Sequence, residues 1–214
     1  MIRKFTIDDA LLADDTNPCI ATVGVSNHHV HLCAADLEQL FGKDYQLHPM
    51  KKLTQPGQFA AEETVNVIGP KGMIENVRIL GPLRAETQVE LAATEARQAG
   101  INALVRASGD LEGTYGCILL GPNGYINLQH GVICAATHLH LHTQEAAPLG
   151  ITDRQLVDVY INSPESGKSG CIFNVPVRVG DAHAKDLHID TDEANAFKIS
   201  HSSRALILLN ETKA

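Results

Sequence analysis

Two stretches of the chain read almost as copies of one another: Val-Gly-Val-Ser-Asn-His-His-Val-His-Leu from Val23 to Leu32, and Val-Ile-Cys-Ala-Ala-Thr-His-Leu-His-Leu from Val132 to Leu141. Each is an apolar run that ends in His-x-His. Side chains alternate along a strand, so His29 and His31 face one way, as do His138 and His140, with Val30 and Leu139 behind them. Residues i and i+2 of a strand lie about 6.5 Å apart, close enough for two converging imidazoles to share one ion. A single tripeptide of this kind is also what a half-buried strand with a polar wet face looks like. Its recurrence in a second copy favours the metal reading.

The rest of the composition bounds the answer. A length of 214 residues with 44% hydrophobic and 20% charged residues suits a globular chain of one large or two small domains. A formal charge of -8 argues against a nucleic-acid surface, and no basic cluster is larger than Lys51-Lys52. Five cysteines without a C-x-x-C pair, and no signal peptide before Cys19, fit a reducing cytosol. No apolar run approaches the roughly 20 residues of a membrane helix. With 4% aromatics and no tryptophan, the core must rest on Val, Ile, Leu and Ala, which suits many short strands.

Such strands are expected over Ile20 to Val25, Thr64 to Ile68, Val77 to Leu80, Ala103 to Arg106, Cys117 to Leu120, Tyr125 to Leu128, Gly131 to Ala135, Leu156 to Ile161, Cys171 to Val177 and Ala205 to Leu209. That many short strands define a mainly β chain, a barrel or a sandwich. Helical patterns are few: Ala34 to Phe41, Thr87 to Ala99, Gln144 to Ala147 stopping at Pro148, and Thr191 to Ala196. They read as caps on barrels. Residues 1–18, with four aspartates around a weak apolar set, read as an N-terminal arm or short helix. Gly69-Pro70-Lys71-Gly72 and Gly121-Pro122-Asn123-Gly124 are matching turns, a second hint of internal duplication.

Several residues besides the paired histidines invite a chemical reading. His188 stands just before the acidic helix start Asp190-Thr191-Asp192-Glu193 and is a further candidate ligand. Gly81 to Glu90 runs from a strand end toward a helix, where Arg84 and backbone N–H groups make an anion site. On such a helix Arg84, Gln88 and Glu90 do not share a face, so by itself the segment reads as a solvent-facing helix start. His142 continues the second pair and reads as a polar strand end. His48, His130, His183 and His201 have no partner pattern. Glu62 and Glu63 should face opposite sides of a strand. Cys134 shares the parity of His138 and His140, but the first copy has Val25 there, so a structural thiol is the simpler reading over an acyl-carrying nucleophile.

The order of these segments resembles the PduL-type phosphate acyltransferases, the phosphate propanoyltransferase (phosphotransacylase) family. The resemblance runs from about Ile20 to Ile199. It rests on the first His-x-His run, Gln55-Pro56-Gly57-Gln58-Phe59, Ile79-Leu80-Gly81-Pro82-x-Arg84 with Gln88-Val89-Glu90, Arg106-Ala107-Ser108-Gly109-Asp110, the second His-x-His, and His188 to Ala196. It implies two β-barrel domains capped by short α-helices with the active site in the inter-barrel cleft. Residues 19–47 plus 127–210 would form the first barrel, and 48–126 the second, with a lid hairpin near 53–60.

The resemblance further implies two zinc ions, one on His29, His31 and Glu90, the other on His138, His140 and His188. Three ligands each would leave a position open, as catalytic zinc requires. The implied reaction is reversible transfer of a short acyl group between coenzyme A and inorganic phosphate. Phosphate contacts would fall on Arg84, Gln88 and Ser108, and coenzyme A contacts on Ser26, Lys51, Arg78, Leu80 and Asn195. A homodimer or higher oligomer is implied, in the cytoplasm or the lumen of a bacterial microcompartment with shell or core partners. The chain departs from many family members in having His28 and Thr137, not Arg, before each His-x-His, which predicts a weaker and more pH-dependent hold on phosphate. Two rival readings stand beside this one. A zinc-dependent hydrolase would usually need a longer (β/α)₈ chain, and a non-enzymatic zinc-stabilised barrel module would need closed four-ligand sites.

Overall fold

The computed structural model describes residue 14 and residues 16–209. The expected N-terminal arm, residues 1–18, lies largely outside them. The described chain is mainly β, with strands β1 (Ile20–Ser26), β2 (His29–His31), β3 (Pro49–Lys52), β4 (Phe59–Ile68), β5 (Met73–Gly81), β6 (Gln88–Glu90), β7 (Leu104–Arg106), β8 (Tyr115–Gly121), β9 (Gly124–Ala135), β10 (His138–Leu141), β11 (Leu156–Ser163), β12 (Lys168–Val179), β13 (Asp186–Asp190) and β14 (Arg204–Leu208). Four helices are interspersed: α1 (Ala34–Phe41), α2 (Ala93–Ala99), α3 (Thr143–Leu149) and α4 (Thr191–Phe197). No helix among the described residues is long and apolar enough to cross a membrane.

The chain divides into two compact units. A terminal unit takes the chain up to Gly24, Thr137–His188 and the chain from Glu193, and a central unit takes Val25–Ala136 and Ile189–Asp192. In the central unit six strands close a ring in the order β4, β5, β2, β6, β9, β8, with β8 returning to β4. β3 adds to the outer end of β4, and β7 to β9. The other six strands close a second barrel in the order β1, β13, β10, β12, β11, β14. Closure leaves no open sheet edge within either ring.

These units differ from the sequence-based division. Residues 25–47 and 127–136 belong to the central unit, because β2 is paired with β5 and β6, and β9 with β6 and β8. The core follows alternation. In the central unit Val65 and Val67 of β4, Val77 and Ile79 of β5, Val30, Val89 and Leu119 are packed together at 0–2% exposure. Each such side chain contributes about 1.5–3 kcal/mol on burial. In the terminal unit Leu139, Leu141, Val159, Ile161, Val177 and Leu187 are equally closed off.

The strands expected over Tyr125 to Leu128 and Gly131 to Ala135 are one long strand, β9, that pairs with β8 early and with β6 and β7 late. The helix expected over Thr87 to Ala99 is split. Gln88–Glu90 is captured as a strand between β2 and β9, and only Ala93–Ala99 is helical. Tertiary pairing overrides the helical propensity of this stretch. α2 begins where the Ala92 N–H donates to Glu95 Oε2 at 2.9 Å and ends at Gly100 in the left-handed region. α3 passes Pro148 by one residue before Gly150 closes it, also left-handed.

Candidate metal centres

In the central unit β2 supplies the first histidine pair and β6 lies antiparallel beside it, with His29 opposite Glu90 and His31 opposite Gln88. Directly opposed residues share a face, so the ladder gathers two imidazoles, a carboxylate and an amide. All four side chains are buried, and the His29 and His31 rings sit edge to face with centroids 5.0 Å apart. The His29 Nδ1–H donates to the Asn27 carbonyl at 2.8 Å, and the His31 Nδ1–H to the Leu80 carbonyl at 3.2 Å. These bonds fix both tautomers and leave Nε2 of each ring as the lone-pair donor. His29 Nε2 is 3.4 Å from Glu90 Oε2, close to the edge of about 3.4 Å that a tetrahedron of zinc ligands at 2.0–2.1 Å has.

Glu90 is held by a hydrogen-bond network. The Gly109 N–H donates to Gln88 Oε1 at 2.8 Å, which turns Gln88 Nε2 toward Glu90 Oε1 at 2.5 Å and Ser108 Oγ at 2.9 Å. The Ser108 hydroxyl donates to Glu90 Oε1 at 2.8 Å and accepts from Arg84 Nη1 at 3.1 Å. Arg84, Gln88 and Ser108, the expected phosphate residues, are thus joined to the carboxylate of the expected metal set. The local reading of residues 81–90 as a solvent-facing helix start is corrected. Glu90 sits on a strand, 7% exposed, opposite His29.

The charges follow from this packing. Burial would raise the Glu90 carboxyl, but His29, His31 and the Ser108 hydroxyl together hold it well below the usual carboxylate range. Burial opposes a charge on His29, and the Glu90 carboxylate overrides it, so the ring is held above its ordinary value. His31 is pushed down to about 3, by burial first and then by His29 and the Arg84 guanidinium.

The terminal unit repeats the frame. β10 carries the second pair and β13 lies antiparallel to it, with His138 opposite His188 and His140 opposite Asp186. His138 Nε2 and His140 Nε2 face each other at 3.0 Å, and the His188 ring centroid is 5.1 and 4.8 Å from theirs. His140 is pushed down to about 2 by burial first, then by His138, His188, His183 and Arg178. His140 Nδ1 is buried with no hydrogen-bond partner among the described residues, and the His183 ring packs on His140 at 4.5 Å. In each set the three ligand atoms lie within 4.8 Å of one another. Both donor sets, His/His/Glu and His/His/His, fit zinc with a position left open.

The expected coenzyme A residues are placed less tightly. Ser26 ends β1 half-buried, Lys51 is exposed on β3, and Arg78 and Leu80 lie on β5 beside β2. Arg78 Nη1 donates to the carbonyls of Ala61 and Glu62 at 3.1 and 2.7 Å. Asn195 is exposed on α4, in the other unit. The segment expected as a lid hairpin is a turn between β3 and β4, closed by Leu53 N–H to the Gln58 carbonyl at 3.0 Å.

Other readings are corrected. Cys134 is not on the strand of the second pair. It lies on β9 of the central unit, where its Sγ donates to Asp190 Oδ2 at 3.5 Å. His142 is the N-cap of α3, accepting from the Gln144 N–H at 3.0 Å. Glu62 and Glu63 do face opposite sides: Glu62 is exposed, and Glu63 is buried and accepts from Tyr45 Oη and from His48. Two residues that sequence reasoning missed stand at the second set. His183 comes from a loop and has no spacing signal. Asp186 shares with His188 the i, i+2 spacing that singles out the histidine pairs.

Residues 22–200 match the family model described as Phosphate propanoyltransferase. A protein of that name from Thermotoga maritima is 53% identical over 175 residues, 81% of this chain and 82% of its own length. One from Rhodobacter capsulatus is 43% identical over 191 residues, covering 89% of this chain and 87% of that protein. One from Salmonella typhimurium is 47% identical over 175 residues, 81% of each. The chain belongs to the phosphate propanoyltransferase family.

Proposed function

We propose that the chain transfers a short acyl group, propanoyl by analogy with the names of its relatives, reversibly between coenzyme A and inorganic phosphate. In this reading His29, His31 and Glu90 hold one zinc ion and His138, His140 and His188 a second. A bound zinc with an open position supplies Lewis-acid polarisation of an oxygen and offsets negative charge. The observation that carries the reading is the continuous network from Arg84 through Ser108 to Glu90, which ties an anion-binding guanidinium to a metal-type ligand set.

Within that site Arg84 binds phosphate oxygens through its planar fork. Ser108 and Gln88 orient the guanidinium and the Glu90 carboxylate, so that phosphate enters a frame that is already ordered. A phosphate oxygen then forms the bond to the thioester carbonyl carbon as the carbon–sulfur bond breaks, and the sulfur leaves as thiolate to be protonated. Ser26, Lys51, Arg78, Leu80 and Asn195 are the residues we assign to coenzyme A, and the turn through Gln55-Pro56-Gly57 the lid.

The test is thiol release from propanoyl-coenzyme A. Acyl phosphate and free thiol should form together only when phosphate is added, and chelator treatment should abolish both. Thiol released at the same rate without phosphate would mean hydrolysis, and turnover undiminished in metal-stripped protein would remove the zinc reading.

A further inference from the structure

The two ligand sets share a four-residue frame in which the third ligand of each is paired with the residue two positions before it. On β6 the pair is Gln88 and Glu90, with Gln88 Nε2 donating to Glu90 Oε1 at 2.5 Å. On β13 it is Asp186 and His188, with His188 Nε2–H donating to Asp186 Oδ2 at 3.1 Å. Both earlier residues sit opposite the second histidine of the facing pair, Gln88 opposite His31 and Asp186 opposite His140.

We infer that Asp186 is a positioning residue for His188, fixing the ring so that Nδ1 is the nitrogen offered to a metal. Asp186 is 2% exposed, and both its oxygens are engaged, Oδ2 by His188 and Oδ1 by the Thr22 hydroxyl at 2.7 Å. A buried carboxylate held at both oxygens is a rigid acceptor, and a carboxylate behind a ligand histidine fixes its tautomer and raises its basicity. Space has been left for this contact. A Cβ on Gly24 would stand 2.5 Å from Asp186 Oδ2 and 3.1 Å from His188 Cδ2, so the pair fits only against a glycine.

The inference rests on the metal reading of the three-histidine cluster, and the experiment separates the two. Metal-free full-length protein is titrated with Zn²⁺ against a chromophoric chelator, for the wild type, His138→Ala, Asp186→Ala and Asp186→Asn. The wild type should bind two ions, and His138→Ala should lose one of them. Asp186→Ala should weaken that same site about 10–100-fold and leave the other unchanged. Asp186→Asn, which keeps an acceptor oxygen but not the charge, should fall between. Loss of no ion in His138→Ala overturns the metal reading and the inference with it. Two intact sites in Asp186→Ala, or equal weakening of both, overturns the inference alone. Should Asp186→Ala not fold, long-range ¹H–¹⁵N correlation on the metal-free wild type decides: His188 must carry its proton on Nε2, and a proton on Nδ1 refutes the assignment.

Discussion

His31 makes the metal-free central unit sensitive to acid in a way that can be isolated. Its ring is 3% exposed and its ordinary value of 6.5 is lowered to about 3, by burial first, then by His29 and Arg84. The folded chain therefore binds fewer protons than the unfolded chain below pH 6.5. The stabilisation from a neutral His31 is fully present above that pH and is lost as the pH falls toward 3. Each pH unit in that window removes about 1.4 kcal/mol, so about 3 kcal/mol is gone by pH 4.5. Nearby groups act elsewhere on the scale. Glu90 and Glu63, lowered from 4.5, lose their contributions only below that value, and the contribution of His29, raised from 6.5, is already complete below 6.5. Native-state hydrogen exchange of the β4–β5 amides reads the opening free energy of this unit. Across pH 6.5 to 4.5 the wild type should lose about 1.4 kcal/mol per pH unit more than His31→Asn, which keeps a donor for the Leu80 carbonyl but cannot take up the proton. Equal slopes for the two proteins would refute the assignment of a strongly lowered His31.

Two further outcomes bear on the phosphate residues. Arg84→Ala should raise the phosphate KM about 10- to 100-fold, since a hydrogen bond to a charged group contributes about 1.5–3 kcal/mol, and Arg84→Lys should recover only part because the fork is lost; an unchanged KM removes Arg84 from the phosphate site. His28 Nδ1 lies 2.5 Å from Glu95 Oε1, and the Thr137 hydroxyl donates to Glu193 Oε1, so neither position offers an uncommitted cation. The double variant His28→Arg/Thr137→Arg should bind phosphate more tightly and with less dependence on pH, measured as KM across about pH 6 to 8; coincident profiles would dismiss any role for these two positions.

Much of this was legible in the sequence because a strand has a period of two. The same rule that put His29 with His31 and His138 with His140 set Glu62 and Glu63 on opposite faces, while β-rich runs between Gly, Pro and Asn marked the strands. Glu90 was assigned through family resemblance alone, because Thr87 to Ala99 carries good helix formers and the strand hidden in it is three residues long. Only pairing with β2 and β9, both distant in sequence, makes it a strand. The boundary between the units is hidden for the same reason: β2 follows β1 closely in sequence, yet pairs with β5 and β6. His183 reaches His140 from a loop, where no periodicity operates.

The two ladders differ by a complementary exchange rather than by an isolated substitution. In the central unit the third candidate ligand is an acceptor, Glu90, and the residue behind it must donate; Gln88 can do so in only one orientation, because the Gly109 N–H occupies its oxygen. In the terminal unit the third candidate ligand is a ring whose Nε2–H donates, and the residue behind it is a carboxylate that can only accept. Swapping one member alone, a carboxylate at Gln88 or an amide at Asp186, sets like charges together or removes the charge that steadies the imidazole. Each ladder therefore keeps one carboxylate against its histidine pair, as a ligand candidate in one and directly behind a ligand candidate in the other. The exchange moves the negative charge by one register step: Glu90 stands opposite the first histidine of its pair, and Asp186 opposite the second. A metal held by His29, His31 and Glu90 would have its charge reduced by a direct ligand, and one held by three neutral imidazoles would keep its full charge at the open position. On formal charge alone, a zinc on the second set would be the stronger Lewis acid of the two, by a margin that the Asp186 carboxylate behind His188 would reduce.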